Sequence, residues 1–315
     1  MLNPTLLASQ DAHLRPDVCL KRMNSWMMGG RARWVFEPQS VNHLCQWMRS
    51  ISTPYPAVWL GLGSNVLIDD QGIDAVVIAP RRGLKSITWL EDGCLAVDCG
   101  VTCAKLARLA ADIGAPQGLF FSGIPGTLGG ALAMNAGAFG GETWAVVESV
   151  EVIDKQGQLH HLAKSMFEIG YRRVQSPFAY FGFVRAHIRF HPEQSPGRDD
   201  SAGVLRHEID RLLAKRSATQ PIGTYNCGSV FKNPIGDYAA RLIEQCGLKG
   251  LRRGQASIST LHANFILNDK NASSEDVVWL MAEVQRCVFT QFGVVLEPEV
   301  HTLDAAALTW IGRDC

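Results

Sequence analysis

The chain has 315 residues, of which 47% are hydrophobic and 19% charged. That is enough apolar material for substantial cores and excludes a disordered chain, and at roughly 150 residues per domain the length suggests two domains or three small ones. Lys plus Arg and Asp plus Glu balance at 30 each, which leaves no global basic footprint, so no nucleic-acid partner is expected.

Residues 1–22 lack a basic start followed by an apolar core and do not read as a secretory signal. No apolar run is long enough to span a bilayer, so a cytoplasmic protein with no membrane partner is expected. Residues 40–50 open with Ser40 as N-cap and read as a helix. Short strand-like runs follow at 57–60, 66–68 and 75–79, separated by GLGSN and DDQG turns. Thr102 caps a helix over 102–113, in which Leu106, Leu109, Ala110 and Ile113 recur at helical spacing and Gly114 supplies a left-handed stop. Residues 146–162 read as a hairpin around DKQG, and 183–190 alternate polar and apolar as a half-buried strand does.

Residues 191–203, rich in Pro, Gly and charge, read as a linker. Beyond it lie a helix at 204–214, the segment TYNCGSVFKNP, a helix at 237–246 ending at Gly247, and a strand at 263–267. A further helix starts at Ser273, with Asp276 completing a capping box and Val277, Leu280, Met281, Val284 and Val288 on one face. Residues 294–300 read as a last strand. Many short strands before one linker, and mixed elements after it, favour an α+β architecture over a regular Rossmann sheet. The nine cysteines form no CxxC pair and no zinc-finger spacing. They read as reduced, mostly buried thiols, with no metal site.

Two glycine-dense segments carry chemistry. In Gly61-Leu62-Gly63-Ser64-Asn65-Val66 the glycines permit a tight turn and close backbone approach to a ligand. A Rossmann fingerprint would need glycine at Val66, and alone the segment reads equally well as a hairpin turn. The second runs from Phe121 to Gly141, with glycines at 123, 126, 129, 130, 137, 140 and 141. It buries little apolar area for the backbone entropy it loses, which makes sense if something large and flat lies against it. Ile124, Leu128, Leu132 and Met134 anchor it. Together the segments suggest an extended dinucleotide held between two lobes.

GLGSN followed by SGIPGTLGGALAMNAGAFGGE resembles the UDP-N-acetylenolpyruvoylglucosamine reductase (MurB) family. The resemblance continues at Gly170-Tyr171-Arg172, Gly228-Ser229-Val230-Phe231-Lys232-Asn233-Pro234, His262-Ala263-Asn264-Phe265-Ile266 and Leu296-Glu297-Pro298-Glu299-Val300, in order over residues 20 to 303. It implies a two-lobed FAD-binding fold of the vanillyl-alcohol oxidase and p-cresol methylhydroxylase type, with a smaller C-terminal α+β substrate-binding domain. The domains would be 1–85, 86–195 and 196–315, with 294–303 returning to the active site.

The implied reaction is reduction of a UDP-sugar enol ether, with NADPH as co-substrate and FAD held non-covalently. The cofactor would contact Gly61, Leu62, Gly63, Ser64, Asn65 and Val66, and Gly123, Ile124, Pro125, Gly126, Thr127, Gly130, Asn135 and Gly137. By the same resemblance Arg172 stabilises the enolate, Ser229 donates the proton, and Glu299 is the third catalytic group. Tyr171, Asn233, Lys249 and His262 would bind the substrate. Read without the family, Arg172 is a solvated neighbour of Arg173, Ser229 a turn serine, and His262 nearly as readily structural. A monomer is expected.

The chain departs from the family at Gly29-Gly30-Arg31-Ala32, where Gly-Gly-Pro-Ala is common, and at Leu62, where Gly or Glu is usual. It has no room after Arg172 for the inserted loop that carries a lid tyrosine, so it resembles the shorter type. Another FAD oxidoreductase of this fold, or a non-catalytic nucleotide-binding module, remains an alternative reading.

Overall fold

The computed structural model describes residues 11–50, 56–191 and 201–304. The first lobe is a four-stranded sheet in the order Leu14–Cys19, Arg31–Phe36, Ile73–Ile78, Ala57–Trp59. The outer pair is antiparallel and the other two pairings are parallel. Both faces are covered, which is why IDAVVI is apolar at nearly every position rather than alternating. Trp34, Phe36, Val76 and Ile78 face Leu44, Trp47 and Met48 of the Val41–Ser50 helix. Val35, Ala75 and Val77 face Leu20, Met23 and Ile68 on the other side. Ser40 caps that helix, accepting from the His43 backbone N–H at 3.1 Å.

The second lobe is an antiparallel sheet in the order Leu159–Ala163, Val147–Ile153, Gly182–Ile188, Leu95–Asp98, Ile87–Trp89. The helices Cys103–Asp112 and Leu128–Ala133 and the 3-10 segment Pro116–Gly123 pack on it, burying Leu106, Phe121, Leu128, Trp144 and Val150. Thr102 caps the first helix as expected, accepting from Lys105 N–H at 3.3 Å.

The helix expected at 204–214 spans Ser201–Thr219 and so takes in the end of the expected linker, whose residues 192–200 lie outside the described residues. Leu205, Ile209 and Leu212 form its apolar stripe, and Ile209 joins the second-lobe core. The helix therefore packs on the second lobe, leaving its last turn to approach the glycine-rich segment.

The remaining chain builds a three-stranded antiparallel sheet, Arg252–Arg253, Ala256–Ile258 and Ile266–Asn268, with the helices Ala239–Gln245 and Ser274–Phe292. Val277, Leu280, Met281, Val284 and Val288 are buried against it. Two strand expectations are corrected here. The strand expected at 263–267 is Ile266–Asn268, because Asn264 sits in a turn and spends its amide on both backbone groups of Phe231 (3.0 and 2.8 Å). Residues 294–300 form no strand beyond a single bridge between Pro298 and Phe231. Pro298 has no N–H to give a ladder. The strand is His301–Leu303, which pairs in parallel with Val66–Ile68 of the first lobe. The chain thus closes on its own beginning.

The Ser273 side chain accepts from Asp276 N–H at 3.1 Å, and the Asp276 carboxylate accepts from Ser273 N–H at 3.1 Å. A Ser273→Ala variant is expected to lower stability by about 1 kcal/mol, seen as a fall in denaturant midpoint at unchanged slope.

Candidate active site

The two glycine segments meet across the lobe boundary. A Cβ on Gly61 would lie 2.8 Å from Thr127 Oγ1, so the first loop approaches the second without room for a side chain. Gly126 and Gly130 differ. A Cβ on Gly126 would meet only Ser64 Oγ at 3.5 Å and Ile124 Cγ2 at 3.8 Å, and one on Gly130 only Thr127 Oγ1 at 3.9 Å. Neither has a positive φ. The protein alone does not require glycine at these two positions, whereas a ligand lying against the backbone does. Gly61, Thr127 and Gly130 line a narrow cleft with Trp59 and Phe183, which runs between the lobes.

The cleft's neighbour is a cavity of about 310 Å³, lined by Ser64, Asn65, Gly123, Ile124, Pro125, Gly137, Arg172, Ser229 and Glu299. This is the size class of small-ligand sites. All three residues expected to be catalytic therefore share one cavity, although they lie on three distant parts of the chain. Arg172 sits at the turn between Glu168–Gly170 and Arg173–Gln175, with φ at 54°. Its Nε donates to Glu299 Oε1 at 2.8 Å, and Nη1 and Nη2 reach the carbonyls of Asn135 and Gly137 at 3.4 Å. It is no solvated surface arginine, being only 18% exposed. Burial pushes the Glu299 carboxyl above its usual range, against the opposing pull of Arg172.

Ser229 follows Gly228, whose φ of 76° turns the loop. The adjacent Val230 carbonyl accepts from Glu299 N–H at 2.7 Å, which fixes Ser229 beside Glu299. Among the described residues the Ser229 hydroxyl has no hydrogen-bond partner. Asn65 Nδ2 donates to the Glu299 carbonyl at 2.9 Å, tying the first glycine loop to the returning segment.

Other expected residues lie elsewhere. Asn135 is buried, with its amide spent on the Gly170 carbonyl (3.2 Å) and the Trp144 N–H (3.1 Å). Gly63 is packed on the Met23 carbonyl, where a Cβ would lie at 2.3 Å, and Val66 belongs to the strand that pairs with His301–Leu303. Tyr171 is exposed, with the Arg172 guanidinium 5.2 Å from its ring centre. Asn233 Oδ1 accepts from Ala239 N–H at 3.1 Å, and Lys249 pairs with Glu244 at 2.7 Å. His262 packs on Phe265, a residue of the cavity wall, at 4.7 Å. Burial, then Lys249, lowers its pKa.

Sequence reasoning missed the last turn of the Ser201–Thr219 helix, which brings Lys215, Arg216 and Thr219, with Gln220, into the cavity. Arg216 donates to the Gly123 carbonyl at 2.6 Å and to Gln220 Oε1 at 2.7 Å. Among the described residues no carboxylate pairs with it, and burial lowers its pKa. Two cations at a helix end ordinarily complement the helix dipole, so the sequence carried no separate signal. Among the described residues no helix is long and apolar enough to cross a membrane. The one cluster there with metal-ligand spacing, Asp92, Cys94 and Glu148, has both carboxylates bonded to Arg189.

A family model described as "FAD binding domain" matches residues 32–163, the span of both glycine segments. Fold and cleft thus define a flavoprotein with a two-lobed FAD-binding fold and a smaller C-terminal domain. The model "UDP-N-acetylenolpyruvoylglucosamine reductase, C-terminal domain" matches residues 220–303. The chain is 46% identical over 282 residues to the UDP-N-acetylenolpyruvoylglucosamine reductase of Methylococcus capsulatus, covering 90% of each chain. It is 42% identical to that of Coxiella burnetii, over 90% of this chain and 93% of the relative. The crystal structure of UDP-N-acetylenolpyruvylglucosamine reductase (MurB) from Thermus caldophilus matches with a TM-score of 0.74 at 30% identity, over 92% of this chain and all of that one. This chain belongs to the UDP-N-acetylenolpyruvoylglucosamine reductase family.

His301 adds a pH dependence near the site. Its backbone N–H donates to the Asn65 carbonyl at 3.2 Å, and burial, then Lys232, pushes its imidazole down to about 4. A lowered folded-state pKa means stability that is complete above the ring's unfolded value of about 6.5 and is lost as pH falls through the folded value. Wild-type protein is expected to lose about 2–3 kcal/mol over that acid window through this group. His301→Gln should flatten that part of a stability–pH curve measured by denaturant unfolding.

Proposed function

We propose that this chain reduces UDP-N-acetylglucosamine enolpyruvate to UDP-N-acetylmuramate, with FAD as its bound cofactor and NADPH as reductant. The observation that carries the reading is the convergence of Arg172, Ser229 and Glu299 on one cavity beside a glycine-lined cleft. Gly61, Ser64, Thr127, Gly126 and Gly130 would hold the cofactor, which when bound supplies hydride for the vinyl carbon.

The chain's own residues supply the rest. Arg172 is held by Glu299 and two carbonyls, so its charge is already aimed before the substrate's enolate charge develops. Such preorganised charge is most effective where water is excluded. The unpartnered Ser229 hydroxyl donates the proton to the neighbouring carbon, a weak acid made useful by position. Glu299, its carboxyl raised by burial, organises the enol-like intermediate at the same carbons. Arg216 and Lys215 offer cationic groups for the diphosphate, since neither pairs with a carboxylate among the described residues. His262, packed on Phe265 of the cavity wall, and Lys249, near enough to lower the His262 pKa, would contact the nucleotide.

UDP-sugar and NADPH are polyanions that do not cross a bilayer, which supports a cytoplasmic location. A Ser229→Ala variant is expected to keep its flavin spectrum and lose roughly 10²–10⁴ in turnover of the UDP-sugar enol ether. Full NADPH-dependent turnover by that variant would remove the proton-donor assignment. A purified protein that takes up no FAD would remove the reading as a whole.

A further inference from the structure

Close to the cofactor cleft, an indole of the first lobe rests on bare backbone of the second. Trp59 ends the Ala57–Trp59 strand, is 9% exposed, and lines the narrow cleft opposite Thr127 and Gly130. Gly182 opens the Gly182–Ile188 strand of the second lobe. A Cβ on Gly182 would lie 2.1 Å from Trp59 Cε2, 2.2 Å from Nε1 and 2.5 Å from Cζ2. No side chain tolerates such distances, and a buried indole cannot swing away as the tip of a lysine can. Gly182 does not have a positive φ, so glycine is needed there for space and not for backbone conformation.

No described protein group bonds the indole N–H of Trp59. Nε1 is buried, so the contacts Trp59 makes with the described residues are packing contacts. What remains is bulk. Trp59 packs 5.9 Å from Phe181, in a core that joins Phe36 and Trp47 of the first lobe to Cys99 and Val184 of the second. One flat, rigid side chain therefore spans the lobe boundary at the cleft's edge and bears on backbone at its far side.

We infer that Trp59 and Gly182 act together as a spacer that sets the width of the FAD cleft. Trp59 is a positioning residue in this role. The inference rests on the cleft holding FAD. A methyl group at position 182 would force the indole toward the cleft or the lobes apart, and a smaller residue at 59 would let the lobes settle closer. Either change spoils a cleft otherwise preorganised for its ligand.

The test is FAD affinity of stripped and retitrated protein, read by flavin fluorescence with far-UV circular dichroism as a check on folding. Gly182→Ala is expected to weaken FAD binding about tenfold or more, and Trp59→Phe combined with Gly182→Ala to regain most of the loss, because phenylalanine lacks the indole edge that the methyl would strike. Wild-type affinity in Gly182→Ala, or a double variant no better than Gly182→Ala, overturns the spacer. Should Gly182→Ala not fold, Trp59→Ala decides. It is expected to bind FAD at least about tenfold more weakly, while Trp47→Phe, in the same core but outside the cleft, is unchanged. Equal affinity in Trp59→Ala and wild type overturns the inference. A wild-type protein that binds no FAD fails at an earlier step and sinks the flavoprotein reading instead.

Discussion

One guanidinium ties the candidate active site together. Arg172 is anchored in the second lobe by the carbonyls of Asn135 and Gly137, and its Nε reaches Glu299 on the segment returning from the C-terminal domain. A part-buried cation is steadied by a paired carboxylate, and removing one member of such a pair leaves the other without its partner. The returning segment must therefore stop where it does. Its position is set again by Glu299 N–H bonding Val230 and by the Asn65 amide bonding the Glu299 carbonyl. Three parts of the chain thus agree on one carboxylate, and Ser229, next to Val230, is placed by the same contacts.

Backbone strain gathers around this point. Asn135, Phe139 and Arg172 are non-glycine residues with φ near 45°, 53° and 54°, and each such conformation costs of order 1–3 kcal/mol and persists only where its surroundings enforce it. For Asn135 and Arg172 they do. The Asn135 side chain is locked by Gly170 and Trp144, and Arg172 by its ion pair. The glycine-rich segment is thus only partly a flexible strip for a cofactor. Its middle is clamped so that its carbonyls can hold Arg172.

The lobe boundary follows a complementary logic. Gly61 and Gly182 are bare because another lobe presses on them, whereas at Gly126 and Gly130 a Cβ would meet only ordinary contacts at 3.5 Å or more. The first kind brings the lobes together, and the second keeps a space between them. The parallel pairing of His301–Leu303 with Val66–Ile68 then ties the C-terminal domain to the first lobe. Movement of any one part would disturb cleft and cavity together.

What the sequence determined by itself was local or carried by dense motifs. Ser40, Thr102 and Ser273 announce their helices because capping is settled within one turn, and the apolar stripe from Val277 to Val288 announces a buried face in the same way. The glycine segments and the short motifs around Arg172, Ser229 and Glu299 pointed to the family and to the residues that meet in the cavity. Only the tertiary structure decided what each glycine is for, that Asn135 is spent on internal bonds, that the strand near the C-terminus starts at His301, and that Arg216 enters the cavity. Those outcomes depend on contacts between residues far apart in the chain, as Asn65 and Glu299 are. Spacing and composition record which residues could form such contacts, but only the packed chain selects among the partners.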